Sequence, residues 1–352
     1  MPKTHNNLYS QVIDFDNVWQ AYLAAREGKR YRREVAQFAV NLEENLLNIH
    51  NHLLWESWQP GKSREFRVLE PKQRDIQAPP FTDRIVHHAL VRIVEPLFER
   101  RFIHHSYACR TGKGAQRAVK ELQAMLRVAG RIWPTPYVVK ADVKSYFASI
   151  RHDVLFRAIE RVISCRKTLA LWRRIAVAYG HEGGIGLPVG ALTSQLSANI
   201  VLDQLDHAAK DRMGIKMYVR YMDDFIIVAP DKESARRVLR ELIGELAVLG
   251  LSINPKTSVF PAGRGVDFCG YRTWATHILP RKRNIKKARG RFRSLAKHFR
   301  EGRASMIDAH QIVSSFLAYT KHCNARRTVT RILNDFCLTK GGTISCRSII
   351  TS

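Results

Sequence analysis

The chain has 352 residues, 45% of them apolar, enough to bury a sizeable core spread over two or three subdomains. Lys and Arg number 58 against 31 Asp and Glu, a formal charge of +27, and so large an excess selects a polyanionic partner. No apolar run approaches the roughly 20 residues needed to span a bilayer and no signal-peptide pattern opens the chain, so the reading is nucleic acid and no membrane. Six cysteines (Cys109, Cys165, Cys269, Cys323, Cys337, Cys346) lack any CxxC or metal-finger spacing and read as reduced thiols in a cytoplasm.

Apolar residues from Val35 to Leu53 recur at helical spacing and predict one amphipathic helix over 32–58. Residues 64–78 change period and suggest a hairpin carrying basic residues, followed by a helix over 83–98. Tyr137–Asp142 reads as a buried strand ending at a carboxylate, with helical segments to about Gly180, a glycine-rich loop over 180–188 and a helix over 193–211. Next comes Met217–Ala229, an apolar run interrupted by Asp223 and Asp224, which predicts two strands with the pair at the hairpin tip. A helix over 232–249 should stop at Gly250. Short strands follow near 258–260 and 266–271, then a helix over 281–300 dense in Lys and Arg around a sparse apolar face. The pattern is α+β with mostly antiparallel sheet. The pairs His87-His88 and His104-His105 read as structural.

Adjacent carboxylates repel unless a cation is present, and the hard ion Mg²⁺ takes carboxylate oxygens together with water and phosphate. Taken alone, an Asp-Asp turn between strands is the commoner explanation. A polymerase, however, holds two Mg²⁺ ions, one activating a primer 3′-hydroxyl and one steadying pyrophosphate. A third carboxylate is then needed from a neighbouring strand, and Asp142 is placed to supply it.

At these residues the chain resembles the reverse transcriptases, and among them those of diversity-generating retroelements. Lys140–Ile150 is similar to the motif that supplies the first metal ligands, Asp142 and the carbonyl of Val143, with Phe147 as the aromatic gate against a ribose 2′-hydroxyl. Tyr221-Met-Asp-Asp224 matches the YxDD box, with Asp223 and Asp224 as catalytic metal ligands. The resemblance implies a right-hand polymerase fold of fingers, antiparallel palm and helical thumb. It also implies two Mg²⁺ ions, with Mn²⁺ as a substitute. Lys72, Arg74 and Arg110 would contact the incoming nucleotide, and Lys256 would serve as general acid or simple phosphate contact. Phe268-Cys269-Gly270-Tyr271 resembles the primer grip, and Arg281, Lys282, Arg283, Lys286, Lys287 and Arg291 would lie along the duplex backbone.

Most reverse transcriptases read Gln-Gly-x-x-x-Ser-Pro where this chain has Val189-Gly190-Ala-Leu-Thr-Ser194-Gln195. Val189 for Gln and Gln195 for Pro is the pattern of the diversity-generating subclass, and losing a hydrogen-bonding side chain beside the nascent pair implies low fidelity. Val189 as a mere apolar filler stays open. The expected activity is error-prone copying of a template RNA into cDNA, with errors opposite adenine, for mutagenic retrohoming into a target gene. Expected partners are the template RNA, the cDNA primer–template duplex, deoxynucleotides and an accessory variability protein, a small basic helical pentamer. The expected setting is a bacterial or phage-infected cytoplasm. The rivals are a group II intron or retron enzyme and a catalytically retired RNA-binding protein. Residues 1–60 would be an N-terminal helical extension, 61–111 and 153–188 fingers, 112–152 and 189–275 palm, and 276–352 a basic thumb.

Overall fold

The computed structural model describes residues 4–68, 74–178 and 183–339. Two helices precede those expected, α1 (Tyr9–Ile13) and α2 (Phe15–Arg26), the second capped by the Asp14 carboxylate, which accepts from the amides of Asp16 and Asn17. The single helix expected over 32–58 is two, α3 (Arg33–Val40) and α4 (Leu42–Leu54), parted at Asn41 with φ −115° and ψ 55°. Asn is among the weaker helix formers, so a break falls there readily. β1 (Arg64–Val68) and β2 (Arg74–Ala78) form the expected antiparallel hairpin, with Phe66 opposite Ile76. α5 (Phe81–Glu99) follows, then α6 (Ala115–Ile132), which the sequence pattern did not delimit.

β3 (Tyr137–Asp142) ends at its carboxylate, and α7 (Tyr146–Ser149), α8 (His152–Glu160) and α9 (Arg166–Ala178) supply the expected helical stretch. α10 (Leu192–His207) continues into one π-helical turn, Ala208–Arg212. β4 (Tyr218–Tyr221) and β5 (Asp224–Ala229) flank the two-residue turn Met222-Asp223. α11 (Lys232–Val248) stops at Gly250, whose φ of +71° suits glycine. The remainder is β6 (Ser258–Pro261), β7 (Val266–Phe268), β8 (Tyr271–Thr273), β9 (Ile278–Pro280), α12 (Lys282–Arg300), α13 (Met306–Thr320) and α14 (Arg326–Asn334). Strands join as β1-β2, as β4-β5-β3-β6 and as β7-β8-β9. Among the described residues no helix is long and apolar enough to cross a membrane.

Two compact units divide the chain. The first comprises Met1–Gly114, Ala141–Phe225 and Arg236–Ser258 and is built on α5 and α10, against which α2, α8 and α9 pack. α10 is buried on nearly every side, through Leu196, Ala198, Ile200, Val201 and Leu202 among others, as a central helix must be. Tyr22 stacks on Phe38 and both meet Phe81 edge to face, at centroid distances of 5.2 to 6.2 Å, which ties α2 and α3 to α5. Each such buried side chain contributes about 1.5–3 kcal/mol.

The second unit comprises Ala115–Lys140, Ile226–Ala235 and Val259–Ser352. Its helical core is Phe292, Phe316 and Ile332, from α12, α13 and α14. Ser305 and Asp308 close a capping box at the start of α13. Cys109, Cys165, Cys269 and Cys323 are free, but Cys337 is disulfide-bonded. That corrects the expectation of six reduced thiols: pairing depends on which thiols the fold brings close, which linear spacing does not disclose.

Candidate active site

The β4–β5 turn bends through a strained residue. Met222 sits at φ +57°, a left-handed conformation costing an L-residue on the order of 1 kcal/mol. Arg220, wholly buried, supplies the restraint: Nη1 donates to the Met222 carbonyl at 2.9 Å. Its Nε and Nη2 grip both oxygens of the equally buried Asp206 at 2.6 to 3.0 Å, and Nη1 also reaches Asn199 Oδ1 at 3.1 Å. Tyr218 donates its hydroxyl to Asp206 at 2.6 Å. Burial, then the Asp206 charge, push that phenol far above its ordinary pKa.

The turn lies alongside the end of β3. Val143 N donates to Asp223 O at 3.2 Å, which brings Asp142 and Asp223 onto neighbouring strand ends. On the other side runs the segment 252–256. Lys144 N donates to Ser252 O and Asn254 N to Asp142 O, both at 2.8 Å, while Asn254 Nδ2 reaches Asp142 Oδ2 at 3.4 Å. Asn254 Oδ1 accepts from Lys256 N at 3.0 Å, which fixes the exposed Lys256 next to this contact.

Asp142 and Asp223, on neighbouring strand ends, with Asp224 opening β5, offer only oxygen donors, which suit a hard divalent cation. Among the described residues no three acidic, His or Cys side chains close into a metal cage. Mg²⁺ does not require one, because it takes one or two carboxylates and completes its shell with water and substrate phosphate. On those terms the residues fit the ion.

Phe147 is half-buried, its ring 5.8 Å from that of Tyr146, whose hydroxyl donates to Ala198 O at 2.5 Å and so ties α7 to α10. Leu187 N donates to Phe147 O and Gly186 N to Ile150 O, each at 2.8 Å, and His152 Nε2–H donates to Gly186 O at 2.8 Å. The chain just before Val189 and Gly190 is thereby laced to the Phe147 segment. Gly190 has φ +113°, and a Cβ there would stand 3.5 Å from Ile76 Cγ2, so Ile76 of the β1–β2 hairpin lies beside this loop. Val189 is half-buried, as is Gln195 in the first turn of α10.

Arg110 departs from expectation. With 5% of its side chain exposed, it donates from Nε and Nη2 to Glu99 at 2.7 to 2.9 Å and from Nη1 to the carbonyls of Ile103 and Ser106 at 2.6 and 2.8 Å. A fork so engaged braces the 99–110 segment and is not presented to a triphosphate. Lys72 lies outside the described residues, and Arg74 opens β2 opposite Val68.

In the second unit, Cys269 and Gly270, at φ +45° and +87°, form the turn between β7 and β8, with Phe268 and Tyr271 buried on either side. Gly270 O accepts from Tyr319 Oη at 2.5 Å and Asn284 Nδ2 at 3.2 Å, which secures the hairpin to α12 and α13. Arg281 lies 3.6 Å from Asp267, and along α12 Lys282, Arg283, Lys286 and Arg291 are exposed while Lys287 is half-buried, opposite the buried Phe292, Leu295 and Phe299.

The sequence reading assigned no role to Arg220, Asp206, Asn199 or Asn254. Arg220 left one signal, a cation inside an otherwise apolar strand.

A family model described as reverse transcriptase (RNA-dependent DNA polymerase) matches residues 62–273, well over half of the chain. The chain belongs to this family of RNA-directed DNA polymerases, whose α+β right-hand polymerase fold it has. It is similar to protein YkfC of Escherichia coli, 28% identical over 67% of this chain and 72% of that one. The group II intron-encoded protein LtrA of Lactococcus lactis is 25% identical over 47% of this chain and 28% of its own length. A solved telomerase from Candida albicans overlaps 80% of this chain and 56% of that chain at TM-score 0.45 and 14% identity.

Proposed function

We propose that the chain is the error-prone reverse transcriptase of a diversity-generating retroelement, copying a template RNA into mutagenised cDNA for retrohoming into a target gene. The observation that carries the subclass is the Val189 and Gln195 pair, in a stretch whose neighbours are laced to the Phe147 segment. An apolar β-branched side chain cannot hydrogen-bond the nascent pair, so one positional check on it is absent.

In this reading Asp142, Asp223, Asp224 and the Val143 carbonyl hold divalent cations, Mg²⁺ or Mn²⁺, whose charge when bound activates the primer 3′-hydroxyl and steadies pyrophosphate. The chain's own residues do the rest. Phe147 excludes the ribose 2′-hydroxyl by contact. Lys256, its amide held by Asn254, either donates a proton to the leaving pyrophosphate or contacts it as a cation. Lys72 and Arg74 meet the triphosphate. The 268–271 hairpin seats the primer end and α12 tracks the duplex backbone, which makes 276–352 the thumb, with fingers, palm and extension as the sequence suggests. The charge of +27 and the exposed Arg30, Tyr31 and Arg32 with Arg33 opening α3, Tyr31 being 83% exposed, suit flanking template RNA through phosphate contacts and base stacking. A small basic accessory pentamer and a bacterial cytoplasm complete the proposal.

The likeness to LtrA favours a second reading, a group II intron-type enzyme of ordinary fidelity. Primer extension on an adenine-containing RNA template, with sequencing of the product, separates the two. The proposal expects frequent misincorporation opposite adenine, reduced in Val189→Gln. Faithful copying overturns it in favour of the second reading. If extension is absent, and Asp223→Ala leaves RNA affinity unchanged, the chain is a retired binding protein.

A further inference from the structure

Arg220 is among the largest side chains with no solvent exposure, and its contacts reach several elements. Its amide donates to His105 O at 2.9 Å and its carbonyl accepts from Tyr107 N at 3.0 Å, which pins β4 to the 105–107 segment. Its side chain meets α10 at Asp206 and Asn199, and Asn199 Nδ2 donates to Ala108 O at 2.9 Å. The Nη1 that meets Asn199 also returns to Met222 O, one residue before Asp223.

A buried ion pair is a poor device for stability alone, because desolvation offsets much of the attraction and apolar residues of like volume often serve as well. What apolar residues cannot do is donate a charge-assisted hydrogen bond to the Met222 carbonyl. From this geometry we infer that Arg220 is a positioning residue for nucleotidyl transfer. Through Met222 O it holds the strained turn so that Asp223 stands beside Asp142, with Asp206 and Asn199 as its anchors. It touches neither nucleotide nor metal. The inference rests on reading Asp142 and Asp223 as the reacting centre.

The test is the triple variant Arg220→Met/Asp206→Leu/Tyr218→Phe, which removes the ion pair and the phenol that leans on it and refills the space with apolar groups. The expected result is a melting temperature within about 5 °C of the parent and primer–template affinity without metal within about twofold. Against that unchanged background, kcat falls at least about tenfold with KM for deoxynucleotide little moved, and Mn²⁺ affinity, titrated by electron paramagnetic resonance without nucleotide, weakens about tenfold. Recovery of kcat and Mn²⁺ affinity together with stability would overturn the inference and leave the network purely structural. Should the triple variant not fold, Arg220→Lys carries the test. It keeps the charge but loses the fork, and kcat and Mn²⁺ affinity at parental values in a folded Arg220→Lys would equally overturn it. Asp223→Ala runs alongside. If that variant still extends primers, the reading of the centre has failed, and not the inference about Arg220 alone.

Discussion

Replacing Arg110 by Met separates two roles for one guanidinium. In the structure it is committed to Glu99 and to the carbonyls of Ile103 and Ser106. Breaking a buried charged pair costs about 3–5 kcal/mol. The Arg110 side chain is 5% exposed, so solvent screens little on its side, whereas Glu99 is 34% exposed and regains water once released. The lower end, about 3 kcal/mol, is therefore expected, with two carbonyls left without their donor. At no more than about 2–4 °C per kcal/mol, the range for chains of 150–250 residues, the melting temperature should fall by up to roughly 6–12 °C. Differential scanning fluorimetry reads this directly, and KM for deoxynucleotide on a primed RNA, taken well below the transition, should move less than about threefold. An unchanged melting temperature with a KM raised about tenfold would refute the bracing role and restore the triphosphate contact.

Burial, with His88 and Arg84 nearby, lowers the pKa of His87 to about 3, and burial with Lys29 and Arg92 lowers that of His88 to about 4. In the unfolded chain both titrate near 6.5, so below that pH the unfolded state binds more protons. Stability is then complete above about pH 6.5 and falls toward pH 4, by up to about 1.4 kcal/mol per pH unit for each histidine, the partly exposed His88 contributing less. Urea midpoints at pH 7 and pH 5 should converge in His87→Leu/His88→Gln, and an undiminished gap would show that other groups set the acid limb. Phe147→Ala should raise ribonucleotide incorporation by roughly tenfold, about 1.4 kcal/mol of lost discrimination, and a product ribonucleotide content equal to the parent's would remove Phe147 as the gate. Tyr31→Ala/Arg32→Ala/Arg33→Ala should weaken binding of the structured template RNA more than that of a bare duplex and lower its salt slope by about 2. Equal losses on both ligands would count against a flanking-RNA contact.

Much of the fold was legible because its signals are local. The Met217–Ala229 run with its carboxylate pair gave the hairpin tip, Gly250 gave the end of α11, and the Lys- and Arg-rich stretch gave α12. Where the reading erred, a single residue outweighed periodicity. Asn41 splits one amphipathic pattern into α3 and α4 although the apolar spacing on either side continues. Asp142 was legible as a strand end, but its tie to Asn254 spans 112 positions and depends on an amide that looks no different from any other Asn in a loop.

Arg110 and Arg220 show why the rest was hidden. In sequence both are lone arginines beside motif residues. The one at a substrate-contact motif spends its fork on Glu99 and two carbonyls, and the one in a strand with no assigned role holds the carbonyl beside Asp223. In both, the decisive acceptors are main-chain oxygens, which every residue carries and no side-chain pattern marks. Residue type therefore predicts that an arginine will seek several acceptors, whereas the fold alone decides whether those belong to a nucleotide or to the chain itself. For Arg220 the choice falls on the chain: its charge, neutralised by Asp206 and removed from water, is left to hold a strained Met222 in place, and the geometry of the Asp142–Asp223 pair follows from that restraint.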